Sequence, residues 1–194
     1  MKNLIACVIL FAVLGLVTGV IYPAAVTAVS FCLFPEKAGG SLVRINHETV
    51  GSGLIGQKFS SPAYFWPRPS ASDYGTLPSS ASNLGATSAA LKLQADARKK
   101  NLAPYFSGSI PADLLLASGS GLDPDLSPEA ALAQAQHIAK ARGLSAPEKE
   151  RLIALIKEKS QGPQWHIFGA PRVNVLELNL GLDRLFPQHP AKER

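Results

Sequence analysis

The sequence predicts an α+β protein: a single N-terminal transmembrane helix followed by one compact mixed α/β domain outside the cytoplasm. Three observations carry this. Residues 3–35 hold no charged side chain. Every acidic residue, and every basic residue except Lys2, lies after Pro35. Beyond that point, helix start and stop signals alternate with short strand-like runs. The implied boundaries are 1–35 for the anchor and 36–194 for the domain, which at about 160 residues can bury one sizeable core. A hydrophobic content of 46% excludes a disordered chain. The lack of a second long apolar stretch excludes a multi-span transporter. The net charge of +5 is mild and has no Lys/Arg run, so nothing points to a nucleic-acid binder.

Residues 4–22 are uninterrupted by charge, and the apolar character continues to Phe34. A bilayer core needs about 20 helical residues at about 1.5 Å each. A cleaved signal peptide would have an apolar region of only about 7–15 residues and an Ala-x-Ala site. Residues 4–7 look like a lipoprotein box, but too few residues precede Cys7 for a charged and an apolar region. The expectation is therefore one uncleaved span. Pro23 either kinks the helix or marks its exit, with Tyr22 as an interfacial ring. Lys2 and the amino terminus favour the inside, which puts the long C-terminal part outside. Cys7 and Cys32, the only cysteines, would lie about 37 Å apart on a continuous helix, beyond disulfide reach. Gly15 and Gly19, four residues apart, share one helix face. They either form a docking face for a membrane partner or reflect the general frequency of glycine in membrane helices.

In the domain, residues 41–44 and 47–52 read as two short strands around a turn. Residues 60–88 are rich in Ser, Pro, Gly, Ala and Asn, and Pro62, Pro67 and Pro69 forbid a regular helix there. The rings of Tyr64, Phe65 and Trp66 argue against a solvated linker and for a functional or partner-ordered segment. Residues 88–101 are helix-compatible and end in Arg98, Lys99 and Lys100, cations suited to a helix C-terminus. Residues 113–117 read as a buried strand. Ser127, Pro128 and Glu129 form a helix start, and the helix stops at Gly143. Ser145 and Glu148 form a capping box for a further helix, whose Leu152, Leu155 and Ile156 share one face. Residues 172–175 read as a strand. Residues 176–186 are ambiguous: Leu178, Leu180 and Leu182 alternate, while Leu178, Leu182 and Leu185 fit a helical face.

Recognisable catalytic chemistry is sparse. There is no Walker-type loop, no Gly-x-Ser-x-Gly elbow and no Asp-Lys-Thr-Gly-Thr segment. His47, His137, His166 and His189 have no metal-ligand spacing, and no cysteine joins them. A Ser120/Asp123/histidine hydrolase can be assembled on paper, as from any chain of this size. The segment that stands out is Ser118, Gly119, Ser120, Gly121 and Asp123. A small-residue loop next to a helix start can hold an anion on its backbone N–H groups. It can equally be a tight turn with Asp123 as local acceptor. No lysine is present there to neutralise a phosphate.

Several segments occur together and in order: residues 51–59, Tyr64 and Phe65, residues 68–71, residues 82–85, residues 117–124 and residues 171–179. In this the chain resembles the C-subunit family of bacterial Kdp potassium-transporting ATPases over nearly its whole length. It departs from the family's habit at Ser80-Ala81, Asp125, His137 and Ala170. The resemblance implies a single-pass protein of the bacterial inner membrane and a non-catalytic accessory subunit needed for assembly. The implied partners are the lipid bilayer, a channel-like potassium-binding subunit, a P-type ATPase subunit and a very small membrane peptide. It also implies a chaperone-like role that raises the ATPase subunit's affinity for ATP, with no cofactor of the chain's own. Gln134 matches a glutamine proposed in that family to bind nucleotide, and joins the 118–123 loop as a nucleotide candidate. The partner-contact candidates are Gly15, Gly19, Tyr64, Phe65, Arg68, Asn83, Arg172 and Asn174. The alternative is a membrane-anchored exported hydrolase or small-ligand-binding domain.

Overall fold

The computed structural model describes residues 1–187; His189 lies outside them. The chain divides into two compact units, Met1–Val50 and Gly51–Arg194.

The first unit is dominated by one apolar helix, Lys2–Leu33, long enough to cross a membrane and with no side chain buried. Its first part is α1 (Lys2–Leu16) and its last is α2 (Tyr22–Leu33). Between them, Val17–Ile21 widens into a π-turn. The cause is Pro23, which has no N–H for the carbonyl four residues back and whose ring needs room there. The helix therefore passes Pro23 rather than ending at it. Cys7 and Cys32 are both free and exposed. A single turn of helix, α3 (Pro35–Ala38), follows, and then the hairpin of β1 (Leu42–Ile45) and β2 (Glu48–Ser52). Asn46 and His47 make its two-residue turn with φ of 51° and 70°, the conformation such hairpins require.

Among the described residues the second unit is helical with one minimal sheet. Helix α4 (Ala89–Leu102) ends on Lys99 and Lys100. Strand β3 (Asp125–Leu126) leads into α5 (Pro128–Arg142). There Ser127 Oγ accepts from Ala130 N at 3.2 Å, and Gly143 closes the helix at φ 65°. Helix α6 (Ala146–Lys159) starts with the expected capping box of Ser145 and Glu148. Strand β4 (Val173–Asn174) pairs antiparallel with β3 through Asp125–Asn174 and Leu126–Val173. It runs directly into α7 (Val175–Leu185), which resolves the ambiguous leucines as a helix. Asn174 sets that outcome, because its Oδ1 accepts from Glu177 N at 3.1 Å as an N-cap.

Ile138, Leu152, Ile156, Val173, Leu178 and Leu182 are fully enclosed between these helices and the sheet. Gly181 permits the close approach of α7 to α6: a Cβ there would lie 3.1 Å from Leu155 Cδ1. The expected strand at 113–117 is instead a 3₁₀ turn at Ala112–Leu114, started by Pro111. Only Leu114 of that run is deeply buried. Asp113 Oδ2 accepts from Ser127 N at 3.0 Å, so the segment serves the start of α5 and not a sheet.

Candidate functional site

The irregular segment around residues 59–72 organises the second unit. Its prolines keep it extended, and residues 64–66 pair with no strand among the described residues. Two buried side-chain amides take the place of one. Asn179 Oδ1 accepts from Phe65 N at 2.8 Å, and its Nδ2 donates to Phe65 O at 3.0 Å. Gln134 Oε1 accepts from Trp66 N at 2.8 Å, and its Nε2 donates to Trp66 O at 3.1 Å. Consecutive residues of an extended chain present their polar groups to opposite sides, so α7 grips one side and α5 the other. The Phe65 ring is fully buried in the core. What reads in sequence as a functional or partner-ordered segment is thus ordered by the domain's own helices, and Phe65 packs in the core. Both polar atoms of Gln134 are engaged in this grip.

Arg142 fixes the same segment. Its side chain is 2% exposed. Nε donates to Ala63 O at 2.8 Å, NH1 to Phe186 O at 2.8 Å, and NH2 to Asp183 Oδ1 at 2.7 Å. Its guanidinium lies 4.9 Å over the Tyr64 ring. Tyr64 in turn donates to Asp183 Oδ2 at 3.1 Å; burial, then the Asp183 charge, push its hydroxyl pKa up. Tyr74 donates to Arg68 O at 2.7 Å, and burial raises its pKa to about 12.

The loop of residues 118–123 packs onto this frame. Ser118 is buried and donates its N–H to Pro69 O at 3.1 Å. Gly121, at φ 71°, sits where a Cβ would meet Ser80 O at 2.6 Å. Ser120 Oγ accepts from Leu122 N at 3.0 Å. Asp123 Oδ1 accepts from Asp125 N at 3.1 Å, and Oδ2 pairs with Arg68 NH1 at 3.0 Å. Gly56 N donates to Leu122 O at 2.7 Å, and a Cβ on Gly56 would strike Asp123 O at 2.6 Å. The loop does not open onto a free helix end, because β3 separates it from α5 and Ser127 already caps that helix. A cation does face Asp123, but it is Arg68 rather than a lysine.

A cleft of about 380 Å³ is lined by Pro62, Pro104, Tyr105, Gln136, His137 and Lys140, among others. His137 forms its inner wall, stacked on Trp66 at 4.5 Å and edge-on to Tyr105 at 5.8 Å. Burial lowers its pKa to about 4, opposed weakly by the Tyr64 main chain. The imidazole is therefore neutral and acts as an aromatic plate. Among the described residues no group of three or more His, Cys, Asp or Glu side chains is gathered to hold a metal ion.

The remaining sequence candidates are scattered. Asn174 caps α7 and donates to Gly53 O at 2.8 Å. Arg172 pairs with Asp125 at 3.4 Å, whose carboxyl pKa is raised by burial and by Asp123. Asn83 is exposed at φ 51°. A Cβ on Gly15 or Gly19 would meet nothing within 4 Å. Sequence reasoning assigned no individual role to Asn179 or Arg142. It also missed an exposed turn at residues 164–168, flagged only by uncharged rings between Pro163 and Gly169.

Residues 4–184 match the profile of a family described as "KdpC: K+-transporting ATPase, c chain". Curated relatives called potassium-transporting ATPase KdpC subunit agree over nearly their full length. That of Rhodospirillum rubrum is 48% identical, covering 96% of this chain and 98% of the relative. That of Dechloromonas aromatica is 48% identical over 94% and 98%, and that of Geobacter sulfurreducens 47% over 96% and 100%. With one apolar spanning helix, a mixed α/β domain behind it and a match from end to end, this chain belongs to the KdpC family, the c chain of K+-transporting ATPases.

Proposed function

We propose that this chain is a non-catalytic accessory subunit of a Kdp-type potassium-transport complex. It is held in the bacterial inner membrane by its one span, with the residues after Pro35 outside the cytoplasm. Its partners are a channel-like potassium-binding subunit, a P-type ATPase subunit and a small membrane peptide. In this reading it raises the ATPase subunit's affinity for ATP. The observation that carries the reading is the family match across residues 4–184, anchor and domain together.

The side chains add a physical argument about how such an effect is exerted. A domain outside the cytoplasm does not meet cytoplasmic ATP. Gln134 and the 118–123 loop are also occupied by the domain's own backbone and by Arg68. An effect on ATP affinity is then a coupling free energy: the subunit binds one conformation of the pump better than another and shifts the equilibrium. Gly15, Gly19 and Asn83 are the partner-contact candidates whose surroundings leave them free for that work.

The assembled complex, stripped of this chain in detergent and then assayed with and without the chain added back, tests the reading. Omission should raise the KM for ATP of the K+-stimulated ATPase more than it lowers kcat. An unchanged KM would remove the proposed role. Orientation is tested separately, with Cys7 and Cys32 replaced by alanine and Ser107→Cys as the sole thiol. A membrane-impermeant maleimide should label intact cells; labelling only after lysis would reverse the topology.

A further inference from the structure

Residues 160–171 carry no charge, between Lys157 and Lys159 on one side and Arg172 on the other. They leave the core where Gln161 pairs with Arg172 and close in a tight turn. Gln164 N donates to Phe168 O at 2.8 Å, and Phe168 N donates to Gln164 O at 2.9 Å. His166 N and Ile167 N donate to Pro163 O and Gln164 O, both at 3.1 Å. Trp165 and His166 sit at φ 51° and 61°, a region that bulky side chains rarely occupy. The turn thus holds its main chain closed on itself while presenting Trp165, Ile167 and Phe168 at 83%, 76% and 59% exposure. Trp165 and Phe168 meet edge-on at 6.0 Å.

We propose that this turn is a second membrane contact, seating Trp165, Ile167 and Phe168 in the interfacial layer of the bilayer that already holds the span. Three arguments select a bilayer over a protein partner. First, four main-chain hydrogen bonds hold the turn closed, and at the depth of the headgroups its remaining N–H and carbonyl groups still meet water while the side chains reach the apolar boundary. Second, two rings at about 150–250 Å² each and one isoleucine offer roughly 500 Å², short of the about 800 Å² a side that stable protein interfaces bury. An indole with an apolar body and one N–H suits the headgroup boundary, and flanking Lys and Arg suit its charged rim. Third, the span keeps the domain at a membrane surface, so a contact too weak to act alone gains a high effective concentration. The inference rests on the membrane-anchored reading above.

The test uses the full chain in phosphatidylcholine–phosphatidylglycerol vesicles whose lipids carry a nitroxide near the headgroup end of the acyl chain. Trp66 and Trp165 are the two tryptophans, so the difference between wild type and Trp165→Phe isolates Trp165. Its emission should be mostly lost to the lipid nitroxide and insensitive to aqueous iodide, and Ile167→Ser should weaken the lipid quenching. Quenching by iodide and not by the nitroxide overturns the proposal. So does a Trp165 that stays iodide-accessible in vesicles and becomes shielded only when the other subunits are added, which would make the turn a protein contact. Tyr22→Trp in the Trp165→Phe background separates the two readings. If that tryptophan is quenched by lipid and Trp165 is not, only the second contact falls; if neither is quenched, the anchor reading falls with it.

Discussion

Gln134 and Trp66, 68 residues apart in sequence, exchange the same pair of hydrogen bonds that one rung of a β-ladder would supply. Asn179 repeats the arrangement on Phe65. An extended segment that lacks a partner strand would otherwise leave buried peptide groups without acceptors or donors.

The first expectation follows directly. Replacing either amide by leucine leaves two main-chain groups unpaired, at about 1–3 kcal/mol each when buried. Asn179→Leu and Gln134→Leu should each lower the free energy of unfolding by about 2–6 kcal/mol, with Asn179→Leu the worse because Phe65 is the more enclosed. Gln136→Leu, on the exposed side of α5, should stay within about 0.5 kcal/mol. Urea titration of the three variants checks this, and equal small effects would remove the clamp as a structural device.

Arg142 gives the second. Its removal strands the carbonyls of Ala63 and Phe186 and the Asp183 carboxylate. Arg142→Met should cost about 2–4 kcal/mol, chiefly from two part-buried carbonyls that lose a charged donor, since Asp183 is 40% exposed and stays solvated. Arg142→Lys should recover little, because an ammonium cannot make three donations in fixed directions. A lysine variant as stable as wild type would contradict that geometry.

These two residues also show what the sequence made legible. Starts and stops of α5 and α6 were readable because caps act within three or four residues: Ser127 to Ala130, Ser145 to Glu148, Gly143 in the left-handed region. The span was readable because apolar length is a local property. Residues 64–66 were not, since their partners lie 68 and 114 residues away. The 176–186 ambiguity had a local solution in the Asn174 cap, which the leucine spacing alone does not reveal. The 118–123 loop was visible as a small-residue turn, but its lock onto Pro69, Arg68 and Gly56 exists only in three dimensions.

The third expectation concerns pH. His137 titrates near 6.5 when unfolded and near 4 when folded. Between those values the unfolded state binds the proton and the folded state does not. The stability from the neutral ring is thus fully present above about pH 6.5 and is lost as pH falls through about 4. The loss should be on the order of 2 kcal/mol after allowance for solvent near the cleft. His137→Phe keeps the stack on Trp66 and removes the titration. Thermal melts of both proteins between pH 7.5 and 4 should diverge as acid is added, and parallel curves would remove His137 as the cause.

The fourth concerns the membrane face. Gly15→Leu and Gly19→Leu should reduce recovery of the assembled complex more than Leu14→Ala or Val17→Ala. A bulky group there blocks close helix approach, whereas truncation toward lipid removes little packing. Equal recovery of the complex from all four variants would leave the glycines without a docking role.

The last expectation separates a nucleotide site from a structural loop. Residues 118–123 invite an anion on paper, through small residues and free N–H groups next to a helix start. In the fold, the N–H of Ser118 goes to Pro69 and that of Gly121 to Ser118, while Ser120 turns back on Leu122. Asp123 and Asp125 bring negative charge where a phosphate would sit, and Arg68 is already paired with Asp123 at 3.0 Å. Isothermal titration of the purified full chain with ATP at physiological salt should give no saturable binding. Asp123→Ala should instead lower the melting temperature, because it removes an acceptor from Asp125 N and the partner of Arg68, at about 1–3 kcal/mol. Ser120→Ala should do so more weakly, with one exposed bond lost. Arg68→Ala combined with Asp123→Ala should cost less than the sum of the two, since either single change already breaks the pair. Saturable one-site binding that disappears with Asp123→Ala, at unchanged melting temperature, would make the loop a ligand site and overturn its assignment to the fold.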